Sequence, residues 1–161
     1  MHLLGKVSNG FIALAVGMLA MAAQAQTPPP YGAPISLDVA KKAAAAAIAE
    51  ARKNNWGMAV VVTDPGGVPV YLERLDGTQT ASADVAIKKA QSSAAYRRPT
   101  KAFEDGVAGG RNAILGLPGA MPIEGGLPIV IDGKIVGAIG VSGGTAPQDG
   151  QVATAGVNAL K

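Results

Sequence analysis

"LPIVIDGKIVGAIGVSGG", Leu127 to Gly144, decides the fold. Two apolar runs rich in Ile and Val flank Asp132-Gly133, and Asp-Gly between such runs is the signature of a tight β-hairpin turn. The same stretch contains Gly140-Val141-Ser142-Gly143-Gly144, which fits the G-x-S-x-G pattern of a hydrolase nucleophile elbow. A nucleophilic serine needs a general base beside it, normally histidine. The chain has one histidine, His2, far away at the N-terminus. An elbow also belongs to a strand–turn–helix of a parallel sheet, whereas Asp132-Gly133 predicts an antiparallel hairpin. Ser142 is therefore read as a hydrogen-bonding residue and not as a nucleophile. Gly137 and Gly140 strip side chains from a strand, which lets a second backbone or a flat ligand approach. The N–H groups of Gly143 and Gly144, just before a helix, are candidate anion receptors.

Upstream, "WGMAVVVTD" (56–64) and "VPVYLERLD" (68–76) are joined by Pro65-Gly66-Gly67 and predict a second hairpin, with Val68, Val70 and Leu72 on one face. Before it, Ser36 caps an alanine-rich helix whose stripe is Leu37, Val39, Ala40, Ala44, Ala47, Ile48 and Ala51. So much alanine suits a helix lying close on a sheet. Between the hairpins, a helix is expected over 82–97, with Val85, Ile87, Ala90 and Ala94 inward and Lys88 and Ser92 on another side; Pro99 stops it. A short helix over 101–108, a Gly/Pro-rich loop (109–122) and a closing helix over about 148–160 complete the pattern. The order α-ββ-α-α-ββ-α is α+β, an antiparallel sheet flanked by helices.

The N-terminus reads differently. His2 and Lys6 precede the apolar run Phe11–Ala23, and Ala23-Gln24-Ala25 is a small-x-small cleavage site, so residues 1–25 are expected to be a secretory signal peptide. The apolar run falls short of the roughly 20 residues that span a bilayer. Cleavage then leaves no membrane span and a periplasmic or secreted protein. Residues 26–35 form a Pro-rich arm, expected to be extended and poorly ordered, and residues 36–161 form one domain. The chain has no cysteine, so its stability rests on the core and on assembly. The formal net charge is only +3, and no Lys/Arg run is interleaved with aromatics, which argues against nucleic acid as a partner. There is no phosphate-loop motif, and no Asp/Glu/His grouping has metal-site spacing.

"NNWGMAVVVTDPGGVPVYLERLDG", "AIKKAQSSAAYRRPT", "EGGLPIVIDGKIVGAIGVSGG" and "QDGQVATAGVNAL" together resemble the GlcG/HbpS-like family, the haem-binding, "haem-degrading" domain also found at the C-terminus of PduO-type proteins. The resemblance covers residues 36–161. It implies a profilin-like fold, a homo-oligomer, and haem or a related tetrapyrrole as ligand. Haem iron takes His, Met, Cys or Tyr, so the ligand candidates under that resemblance are Met58, Met121, Tyr31, Tyr71 and Tyr96, with lysine a less usual option.

The individual positions keep two readings each. Tyr96 and Arg97 could set a phenol near iron and a guanidinium on propionates, or form a solvated helix end. Arg74 and Asp76 match the family's Arg-x-Asp and also suit a surface ion pair. Lys88 could point into a cleft. Glu124 and Gly125 match the family's Glu-Gly-Gly-x-Pro, with Glu124 either facing a ligand or capping. Met58 and Trp56 read as core. Three functions stay open: an exported haem-binding protein for uptake, storage, degradation or redox sensing; an enzyme or accessory factor that binds a small organic acid near Gly143, Gly144 and Glu124, with Arg74 or Lys88 as counter-charge; or a structural or partner-binding module. No residue is assigned a catalytic role.

Overall fold

The computed structural model describes residues 27–161. The expected signal peptide lies outside them. The elements are α1 (Leu37–Lys53), β1 (Ala59–Thr63), β2 (Pro69–Arg74), α2 (Ser82–Tyr96), α3 (Lys101–Ala108), a 3-10 turn (Asn112–Gly116), β3 (Gly126–Ile131), β4 (Lys134–Ser142) and α4 (Ala146–Asn158). The four strands form one antiparallel sheet in the order β2-β1-β4-β3. This is the α+β architecture expected, with α1 and α4 on one face and α2 on the other.

The deciding hairpin forms as read. Asp132 and Gly133 both take positive φ, 51° and 72°, and Ile131 pairs with Lys134. Positive φ at both central residues matches the right-handed twist of the flanking strands. Val60, Val62, Ile139 and Val141 turn toward α1 and α4 and meet Ala40, Ala44, Ala47, Ile48 and Val152. Ala59 and Val61 turn toward α2. Gly140 faces α2 as well, and a Cβ there would collide with the Ala86 carbonyl and lie 2.7 Å from the Ala90 nitrogen. The missing side chain is what lets the α2 backbone rest directly on β4.

The helix and strand faces need correction. The buried stripe of α2 is Ser82, Ala86, Lys89, Ala90, Ser93 and Ala94, with Ser92 also buried, while Val85 and Ile87 are only half-buried. Small residues, not the larger apolar ones, fit against glycine. Val68, just before β2, and Leu72 on it are exposed; Leu72 pairs with Val61 on the face that α2 covers only over β1, β4 and β3. Leu37, placed in the α1 stripe, is 47% exposed, ahead of the point where the helix reaches the sheet.

The arm is extended but held. Ile135 N–H donates to Pro30 O, Gly32 N–H to Ile135 O and Ile35 N–H to Val136 O, each at 2.8 Å. β1 stops at Thr63, opposite Ala138, so the start of β4 has an unpaired edge there, and the arm fills it. The Tyr31 hydroxyl lies 2.8 Å from Ala94 O and 3.0 Å from Ala95 O, carbonyls of the last turn of α2.

Candidate functional site

α2 carries functional side chains in two directions. Outward, Lys88, Gln91 and Ala95 form the floor of a cleft of about 470 Å³, walled by the Gly66-Gly67 turn and by the Pro118–Met121 segment. The spacing i, i+3, i+7 puts the three floor residues on one helix face. Side chains of α2 also fasten the walls. Gln91 Nε2 donates to Gly67 O at 3.1 Å, Tyr96 OH donates to Pro118 O at 2.7 Å, and the Met121 N–H donates to Ser92 Oγ at 3.0 Å. Gly67 takes φ +81°, and a Cβ there would lie 3.2 Å from Gln91 Cγ, so glycine keeps this wall close. Lys88 stands exposed at the mouth, while Met121 is half-buried.

Inward, Lys89 is 1% exposed, with Nζ 2.7 Å from Asp149 Oδ2 and 3.0 Å from Val141 O. Asp149 in turn accepts the Gly144 N–H at 3.0 Å and a backbone hydrogen bond from Gly143. Burial pushes the Asp149 carboxyl above its ordinary value, against the pull of Lys89 and of these two N–H groups. The anion that the Gly143-Gly144 donors were expected to receive is thus the chain's own carboxylate.

The other expected residues lie elsewhere. Ala59 pairs with both Arg74 and Ser142, so these two stand in one row at one end of the sheet. Arg74 and Asp76 are exposed, and Asp76 lines a shallow recess with Arg52 and Trp56. Ser142 is buried, and no histidine occurs among the described residues. Gly125 is buried against Lys89, Val141 and Asp149. Glu124 packs on Gly150 and lies 3.9 Å from Lys101, while its N–H donates to the Glu104 carboxylate. It serves the start of α4 and not the cleft. The Arg97 guanidinium sits 5.5 Å over the Tyr31 ring, and Arg98 sits 5.6 Å over Phe103. Of the candidate positions, Lys88, Met121 and Tyr96 bear on the cleft: the first two line it and Tyr96 fastens its wall.

Sequence reasoning passed over Lys89, Asp149, Gln91 and Ser92. A signal was available for Lys89. Its phase with Ser82, Ala86 and Ser93 places it on the stripe of small residues, where a lysine needs a partner inside. Among the described residues, no group of three or more His, Cys, Asp or Glu is placed to hold a metal ion, and no helix is long and apolar enough to cross a membrane.

Similarity to known proteins follows the same outline. GlcG of Escherichia coli K12 is 42% identical over 108 residues, which is 67% of this chain and 81% of GlcG. A double mutant of Streptomyces reticuli HbpS superposes with a TM-score of 0.74 at 28% identity, covering 96% of this chain and 99% of the other. A PduOC structure described as a haem complex shares the fold, with a TM-score of 0.72 at 24% identity over 80% of this chain and 96% of its own. The family model described as "Haem degrading protein HbpS-like" matches residues 35–158, so this chain belongs to the HbpS-like family.

Proposed function

We propose that this chain is an exported, homo-oligomeric protein that binds haem, or a closely related tetrapyrrole, in the cleft on α2. Family membership supports the ligand class, and the carrying observation is the cleft itself, open at the mouth, floored by α2 and edged by the Lys88 ammonium. The donor set fits the group. Met121 offers a soft thioether of a kind that haem iron accepts, and Lys88 offers a cation for a propionate. The glycine turn at Gly66-Gly67 leaves room for a flat macrocycle. Haem would supply redox-active iron. The chain's own residues would hold it: Gln91, Ser92 and Tyr96 fix the walls, and Lys88 orients the acid edge. Export is supported by the leader-like start of the sequence, residues 1–25.

Titrating the protein with haemin and following the Soret band tests this reading. A saturable one-to-one shift, weakened by Lys88→Gln, is expected. Linear, non-saturating uptake would sink it. Gel filtration with light scattering is expected to show an oligomer, and a clean monomer would remove that part of the proposal.

A further inference from the structure

We infer that Met121 is the side chain that coordinates iron in the α2 cleft, so the site is histidine-free and favours ferrous over ferric haem. The inference deepens the haem-binding reading and rests on it.

The other candidate ligands are engaged elsewhere. The Tyr31 hydroxyl caps the end of α2 on Ala94 and Ala95. The Tyr96 hydroxyl donates to Pro118 O. Tyr71 donates to the Glu73 carboxylate at 2.9 Å, and that bond raises its pKa, which opposes the phenolate form iron needs. Met58 is fully buried in the core between the sheet and α1. No cysteine exists, and the one histidine lies outside the described residues. Met121 differs from all of these. It lines the cleft, it is half-buried, and its backbone is placed by the bond from its N–H to the buried Ser92 Oγ. Among the described residues its sulfur makes no hydrogen bond that it would have to give up. Lys88, at the mouth and cationic, suits a carboxylate as a point charge. A soft thioether stabilises the softer, lower oxidation state, which is why methionine ligation raises haem potentials.

The test compares wild type with Met121→Leu, a nearly volume-conserving change, against three probes: iron-free protoporphyrin IX, ferric haem, and ferrous haem under dithionite. Wild type is expected to bind ferrous haem more tightly than ferric haem. It should also show, in the ferric complex, the weak long-wavelength band of a sulfur-to-iron bond. Met121→Leu should lose that band and bind ferrous haem about tenfold or more weakly, a change of about 1.4 kcal/mol. Its affinity for protoporphyrin IX should stay unchanged. Lys88→Gln should weaken all three probes alike, since it acts on the propionates. Equal ferrous-haem binding by wild type and Met121→Leu, with protoporphyrin IX bound by both, would overturn the ligand assignment and leave the haem-binding reading standing. Failure of every probe to bind wild type saturably would overturn both. Matching thermal midpoints of the two proteins establish that the substitution leaves the fold intact, and a Met121→Ala variant repeats the comparison if it does not.

Discussion

Lys89 Nζ lies 2.7 Å from Asp149 Oδ2, with the two side chains 1% and 4% exposed, and the pair ties α2 to α4 around the end of β4. The third partner, Val141 O, belongs to β4 itself. Three elements therefore meet at one ammonium group, and the Gly143-Gly144 turn is drawn in through the same carboxylate.

Removing one partner of such a pair strands a buried charge. Lys89→Met is expected to cost about 3–5 kcal/mol at neutral pH. Urea unfolding checks this, and the loss should narrow in acid, where the stranded Asp149 takes a proton. A loss below about 1 kcal/mol, the scale of an exposed ion pair, would show that the pair is not buried in solution.

The pH dependence has a defined sign. Burial raises the Asp149 carboxyl above its ordinary value, so the folded protein holds that proton more tightly than the unfolded chain does. The contribution is then fully present below about pH 4, the ordinary aspartate value, and is lost as pH rises through the raised one. The stability difference between wild type and Asp149→Asn cancels the other carboxylates. That difference should shift in favour of asparagine as pH rises from about 4 toward neutrality. A shift in favour of aspartate over this window would mean that Lys89 outweighs burial.

Gly140→Ala should be severely destabilising. The new methyl would strike the Ala86 carbonyl and stand 2.7 Å from the Ala90 nitrogen, both backbone atoms of α2. Neither can rotate away, so α2 would have to lift from the sheet, at a cost of about 3 kcal/mol or more. Gly133→Ala is a useful contrast, since nothing lies within 4 Å and only its φ of +72° is strained. A drop for Gly140→Ala no larger than for Gly133→Ala would contradict the close α2–β4 contact.

Tyr96→Phe should loosen one wall of the cleft without unfolding the domain. The hydroxyl bond to Pro118 O is lost, while the edge contact of the ring with Phe103, at a centroid distance of 5.1 Å, is kept. A single bond of about 1 kcal/mol corresponds to roughly fivefold faster hydrogen exchange at Gly119–Met121. Unchanged exchange there would show that Ser92 alone holds the wall.

Local chemistry made much of the fold legible. The Asp132-Gly133 turn, the Ser36 cap and the Pro99 stop each act within a few residues, so the element order followed directly from the chain. The apolar β runs on either side of Asp132-Gly133 settled the second hairpin. Dismissing Ser142 as a nucleophile also needed only the sequence, because the one histidine, His2, falls in the expected signal peptide and Asp132-Gly133 predicts a hairpin instead of an elbow.

The helix faces and the site depended on tertiary structure. Which side of α2 is buried was decided by Gly140, a residue distant in the chain, because a bare strand selects small side chains over Val85 and Ile87. The same contact sends Lys89 inward to Asp149 and leaves Lys88 at the cleft, a distinction between two adjacent lysines that composition cannot make. It also turns the Gly143-Gly144 donors toward an internal carboxylate. The sequence by itself determined the elements, the hairpins and the family, since these rest on short-range patterns of residues along the chain. Only the packed sheet decided which charges are buried and which face a ligand, because burial depends on what the rest of the chain places opposite each side chain.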